Sequence, residues 1–153
     1  MSFKRLVFLF IAILITSSVA YSQMIEDPCT WTYEVKKKGG HEYQLIVHLD
    51  IKKGWHIWSL NPGGDGYEIA PTFNFDKNPN VKLKGGVTEK GKKTVTKMAG
   101  IEGLVTYYTG KTDYVQEATV TGKTKITGIH SYQVCNDKMC LPPKDKNFVF
   151  EIK

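Results

Sequence analysis

The sequence predicts an all-β fold, an antiparallel β-sandwich, and three observations carry that prediction. Apolar and polar residues alternate in many short runs, clusters of Gly, Asn, Pro and Lys separate the runs, and helical periodicity is almost absent. In chain order, W-T-Y-E-V at 31–35 alternates and K-K-K-G-G then makes a charged turn. E-Y-Q-L-I-V-H-L-D-I at 42–51 puts Tyr43, Leu45, Val47, Leu49 and Ile51 on one face, so the two runs are expected to pair. In W-H-I-W-S-L at 55–60, Trp55, Ile57 and Ser59 face opposite to His56, Trp58 and Leu60, whereas N-P-G-G-D-G-Y-E-I at 61–69 has loop composition. Short strands are expected at 72–76, 81–84, 104–108, 113–120, 125–134 and 148–152. Between them, residues 85–103 form the longest weakly patterned stretch and are expected to be a functional loop.

The chain opens M-S-F-K-R, runs apolar from Leu6 to Ile15 and continues T-S-S-V-A-Y-S, the pattern of a secretory signal peptide over residues 1–22. Ala20 and Ser22 then occupy the two small-residue positions before the cleavage point. The competing reading, an uncleaved anchor, needs an apolar run of about 20 residues, longer than this one. Of the 153 residues, removal of 22 leaves 131, residues 23–153, enough for a single domain with one core. With no second long apolar stretch, the mature chain is expected not to be an integral membrane protein. Loss of Lys4 and Arg5 takes the net charge from +6 to +4, and the lysines are interspersed with acids. That pattern is a solvated surface, without the Arg stripe or aromatic platform of a nucleic-acid binder.

Exported cysteines meet oxidising surroundings, and there are three of them here. Cys29, in E-D-P-C-T-W, reads as a small, half-buried side chain on the first strand. Cys135 and Cys140 stand in S-Y-Q-V-C-N-D-K-M-C-L-P-P-K. A disulfide between them would close a ring of about six residues and contribute only about 2 kcal/mol in the loop-entropy model. The same shortness keeps the thiols in mutual reach after reduction, as a reversible dithiol requires. Pro142 and Pro143 prevent a helix from starting at the pair, so the helix-terminus effect that depresses a thiolate pKa is missing and the thiols are expected near ~8.5 or above. Spacing alone leaves three readings open: a structural staple fixing a hairpin of a binding or assembly module, a redox pair, or a metal site that adds His130, His56 or Met139. A lone C-x4-C is weak evidence for a metal such as copper or zinc, and no metal is assigned.

With the export signal, the G-W-H-I-W-S strand and Y-Q-V-C-N-D-K-M-C-L-P-P, the mature chain resembles the N-terminal periplasmic domain family of the thiol:disulfide interchange protein DsbD, also known as the disulfide bond corrector domain. The resemblance implies an immunoglobulin-like antiparallel β-sandwich, periplasmic location and cofactor-free electron transfer, including supply of reductant to cytochrome c biogenesis. Electrons would come from a transmembrane DsbD-like reductase or a thioredoxin-like domain in trans, because this sequence contains neither module, and would go to oxidised periplasmic proteins. It implies that Cys140 forms mixed disulfides with partners and Cys135 resolves them. His56 and Trp58 match positions beside the pair, Tyr132 belongs to the Y-Q-x-C motif with them, and a cap loop corresponds to residues 95–108. There Met98, Ile101 or Leu104 would supply the apolar cover and Glu102 the acid.

Overall fold

The computed structural model describes residues 27–153, so the signal-peptide reading of residues 1–22 lies outside the described residues. Nine antiparallel strands and no helix occur among them: β1 (Cys29–Gly39), β2 (Glu42–Ile51), β3 (His56–Gly63), β4 (Thr72–Phe75), β5 (Val81–Thr96), β6 (Val105–Val120), β7 (Thr124–Tyr132), β8 (Val134–Cys135) and β9 (Lys144–Ile152). The first sheet runs β1-β2-β6-β3-β8 with β5 laid along β6, and the second runs β4-β7-β9.

The alternation read from β2 fixes how the sheets face each other. Leu45, Val47, Leu49 and Ile51 are buried and meet Ile126, Tyr132, Phe148, Phe150 and Ile152 of the second sheet. Each such side chain taken fully out of water contributes roughly 1.5–3 kcal/mol, which makes this contact the main source of stability. Trp31 packs against Tyr114, His130 and Tyr132 at ring separations of 6.1, 4.3 and 4.8 Å, joining β1 to both sheets. Gly128, inside β7, is needed for contact and not for a turn: a Cβ there would lie 2.2 Å from the Asn74 carbonyl oxygen and 2.4 Å from Phe148.

Several boundaries differ from the sequence reading. Residues 85–103 are not one loop, because β5 continues to Thr96 along almost the whole of β6 and only the stretch after it stays irregular. An edge strand is held by backbone hydrogen bonds on one side and needs no buried face, so its lysines on both faces hid it. The runs 104–108 and 113–120 are one strand, and 61–69 is loop only after Gly63. Inside β6, Gly110 takes φ 67° between Tyr108, which pairs with Ile57 of β3, and Lys111, which pairs with Asp50 of β2. The run 125–134 is two strands: Tyr132 ends in the second sheet, and Val134 begins in the first, so the chain changes sheets at Gln133. The expected face alternation in 55–60 holds for Ile57, in the main core, and for Trp58, outside it, but fails beyond them. Leu60 packs on the main core, and the Ser59 hydroxyl donates to Glu89 at 2.9 Å, where a register shift interrupts the pairing with β6.

Cys29 is free and buried, not half-buried, at the start of β1. Its thiol is pushed up to about 12, first by burial and then by the nearby Asp27 carboxylate. His130 is fully buried and its Nε2 shares a 2.9 Å hydrogen bond with the Tyr33 hydroxyl. Burial, with Lys146 nearby, holds its imidazole down to about 4. The unfolded chain therefore binds a proton that the folded one refuses: the contribution is fully present above pH ~6.5 and is lost as pH falls from there towards 4. Urea unfolding is expected to show up to about 3 kcal/mol lost over that interval from this group, and His130→Gln is expected to flatten the slope. An unchanged slope in the variant would refute the assignment.

Candidate functional site

The two sulfurs are joined, with Cα atoms 3.9 Å apart. The hairpin that carries them is built by local hydrogen bonds. The Asn136 backbone N–H donates to the Met139 carbonyl at 2.8 Å, while its side-chain oxygen accepts from the Lys138 and Met139 N–H groups at 2.8 and 2.9 Å. Below the pair, the Leu141 N–H donates to the Val134 carbonyl at 2.9 Å, and the Gln133 side-chain amide donates to the Leu141 carbonyl at 3.1 Å. Asn after the first cysteine is an Asx-turn signal, the one cue in the sequence that pointed to this local order. None of these bonds uses a sulfur atom, so the hairpin has a hydrogen-bond frame besides the S–S bond.

Strand β8 docks this hairpin on β3 through two cross-strand pairs, His56 with Cys135 and Ile57 with Val134. Ile57 and Val134 point into the main core, so His56 and Cys135 share the opposite face. On that face Trp58, Val105 and Cys135 form a second apolar cluster, against which Met98, Ile101 and Tyr107 pack. The Cys135 residue is 2% exposed, whereas Cys140 is an exposed residue at the mouth of the hairpin.

Two hollows flank the disulfide. One, of about 350 Å³, is lined by His56, Trp58, Met98, Ala99, Ile101, Asn136, Asp137 and both cysteines. The other reaches Cys140 from the side of Asp65, Tyr67 and Glu68, with Trp58, Ile101 and Gln133 in its walls. A larger hollow, of about 520 Å³, lies by the β4–β5 connection and is lined by residues such as Phe75, Asn78 and Ile126, with no cysteine or histidine.

His56 is buried, with its ring 5.0 Å from Trp58 and 4.8 Å from Tyr107. Its Nε2 is buried without a hydrogen-bond partner. Burial lowers its pKa below the usual histidine value, against the opposing pull of the Asp137 carboxylate, so the ring is neutral at pH 7.

Of the residues singled out in the sequence, Cys135, Cys140, His56, Trp58, Met98 and Ile101 come together here. Leu104 does not join them, being 60% exposed, and Glu102 is exposed with its backbone N–H on Asp65 at 3.4 Å. The acid beside His56 is Asp137, from the hairpin turn itself. Tyr132 is also elsewhere. Placed before the sheet switch, it is 1% exposed in the main core and its hydroxyl donates to Asp27. His130 is held in that same core, away from the sulfurs, and Met139 is half-exposed in the turn. Among the described residues no three His, Cys, Asp or Glu side chains converge as metal ligands. Tyr107 and Asp137 were not foreseen, since a Tyr two strands away and an Asp in a polar turn carry no signal of their own.

A two-sheet antiparallel sandwich of this kind is an immunoglobulin-like β-domain, here with a dithiol hairpin on its edge strand. The chain belongs to the family described as thiol:disulfide interchange protein DsbD, N-terminal, whose model matches residues 23–152. It is similar in fold to the N-terminal periplasmic domain of ScsB from Proteus mirabilis, with TM-score 0.62 at 14% identity over 82% of this chain and 47% of that one. It thus spans about half the length of that structure. It is also similar to the reduced DsbD N-terminal domain of Neisseria meningitidis, with TM-score 0.51 at 16% identity over 79% of this chain and 84% of that one. Comparison with curated proteins returns no match.

Asn136→Ala removes two hydrogen bonds of the hairpin that carries the two sulfurs. The equilibrium constant for closing the disulfide against glutathione is expected to fall about fivefold, equivalent to about 1 kcal/mol. Equilibration followed by acid quench and thiol counting measures it; an unchanged constant would mean the hairpin is held by other contacts.

Proposed function

We propose that this domain is an exported thiol:disulfide exchange protein, working in the periplasm as a protein-disulfide reductase component. It takes two electrons from a transmembrane DsbD-like reductase, or from a thioredoxin-like domain in trans, and passes them to oxidised exported proteins. The observation that carries this reading is the unequal setting of the two sulfurs on one preordered hairpin: Cys140 exposed, Cys135 buried behind it under Met98 and Ile101. Family membership supports the exchange chemistry, and the periplasmic origin of the ScsB domain supports the location.

In the working direction, the reduced Cys140 thiolate attacks a disulfide of the partner, forming a Cys140–partner bond and releasing one partner thiol. Cys135 then attacks the Cys140 sulfur, closes the Cys135–Cys140 bond and releases the second partner thiol. Two protein thiols are oxidised and one partner disulfide is reduced to two thiols; the donor's dithiol later reverses the change. Chain geometry favours this order of roles, because an incoming protein can meet Cys140 without unpacking the cluster around Cys135. The apolar cover over Cys135 limits access of small thiols and gives way only to a surface that fits against it. No cofactor takes part in these steps.

Cys135→Ser is expected to accumulate mixed disulfides through Cys140 when expressed with its export signal, while Cys140→Ser accumulates far fewer. Non-reducing gels with mass spectrometry of the trapped species read this out. The reverse pattern would overturn the roles, and a pair potential well below about −300 mV would make the disulfide structural.

A further inference from the structure

We propose that His56, cross-strand partner of Cys135 and co-lining the hollow that holds both sulfurs, accepts the Cys135 thiol proton in the resolving step. This rests on the exchange reading above and adds the proton path to it.

The need for such a group follows from burial. Cys135 must become a thiolate in order to attack, yet it is 2% exposed and packed against Trp58 and Val105, and a docked partner excludes still more water. Burial raises a thiol's pKa, so bulk water and an unassisted thiol make a slow resolving step. A base in place relieves this. His56 has the required properties together: direct pairing with Cys135 across β3 and β8, a common hollow with both cysteines, and a buried Nε2 with no hydrogen-bond partner. Directly opposed residues of an antiparallel pair place their Cβ atoms about 4.5–5.5 Å apart on one face, close enough for an imidazole and a thiol to meet. The groups facing His56 are Trp58 on its own strand, Tyr107 from β6, Asp137 from the hairpin turn, and the two cysteines; the lid residues Met98, Ala99 and Ile101 bring no charge. Asp137 then stabilises the imidazolium once the proton has moved.

The step balances without any other reagent. Cys135 Sγ–H gives its proton to Nε2; the sulfur's electron pair forms the Cys135–Cys140 bond; the Cys140–partner S–S bond breaks. The departing partner thiolate takes the proton back from His56, which ends as it began.

The test uses the reduced full-length mature protein and the aromatic disulfide DTNB, which stands in for an oxidised partner. Attack by Cys140 releases one coloured thiolate, and resolution by Cys135 releases a second; Cys29, buried with its thiol at about 12, stays silent. The second phase is followed by stopped-flow absorbance from pH 6 to 9. In the native protein its rate is expected to be nearly flat from pH 6.5 to 8, because a neutral imidazole is already available. In His56→Gln the rate is expected to drop about tenfold to a hundredfold at pH 6.5 and then climb about tenfold per pH unit, meeting the native rate between about pH 7.5 and 8.5. A native profile that itself climbs tenfold per unit overturns the proposal, and that holds even if the variant fails to fold. So does a variant whose loss is uniform across pH, which would mark His56 as packing alone. Release of only one coloured thiolate by the native protein would instead overturn the exchange reading on which the proposal rests.

Discussion

The site depends on two residue pairs in the backbone ladder, His56 with Cys135 and Ile57 with Val134. They exist because the chain leaves the second sheet at Gln133 and joins the edge of the first within one residue. Val134 enters the main core beside Ile57, and that anchor fixes which face its neighbour Cys135 must take. A slip by one residue would turn the sulfur into the core and the valine into the hollow, since side chains alternate along a strand. The Gln133 amide, tied to the Leu141 carbonyl, secures the crossing point from the other arm of the hairpin. Burial of one valine thus sets the geometry of the disulfide.

Strand β6 performs the same service at larger scale. It runs through the first sheet with β5 along one side and β2 followed by β3 along the other, and the positive-φ Gly110 marks the handover between the last two. The long edge this leaves is β5, whose Lys82, Lys84, Lys90, Lys92 and Lys93 discourage pairing with another chain, because adding a strand would crowd like charges. Glu89, the acid among them, turns back to accept hydrogen bonds from the Ser59 hydroxyl and the Leu60 N–H at 2.9 and 2.6 Å. It tethers β5 to β3 just beyond Trp58, where the pairing of β3 with β6 is interrupted.

What the sequence revealed and what it hid divide along physical lines. Strands with one wet face and one dry face, such as β2 and β9, announced themselves by alternation, and so did the opposite facing of Ile57 and Trp58. Strand β5 did not, because along this edge strand only a few side chains, such as Val81 and Val87, pack on the core and the rest are wet. The sheet switch at Gln133 was hidden too: alternation continues smoothly through Tyr132, Gln133, Val134 and Cys135, and nothing local tells which sheet receives each buried residue. That is why Tyr132, two positions before Val134 in the motif, was grouped with the cysteines although it belongs to the far side of the core. That the cysteine pair, His56, Trp58, Met98 and Ile101 lie together was readable from motif and resemblance. The acid beside His56 was not, since the Asp137 carboxylate comes from the hairpin turn and not from the region where one was sought.

Cys29 bears on how the chain acquires its disulfide. Three cysteines allow three pairings, two of which would join Cys29 to the distant hairpin across more than half the sequence. In the folded domain Cys29 is sealed into β1 against Ile51, while Cys135 and Cys140 are held together by an Asx turn. Native structure therefore acts as the selector: once β1 has paired with β2, an oxidant meets only one productive pair. Before that point the three thiols compete, which ties the fidelity of oxidation to the speed with which the N-terminal hairpin closes.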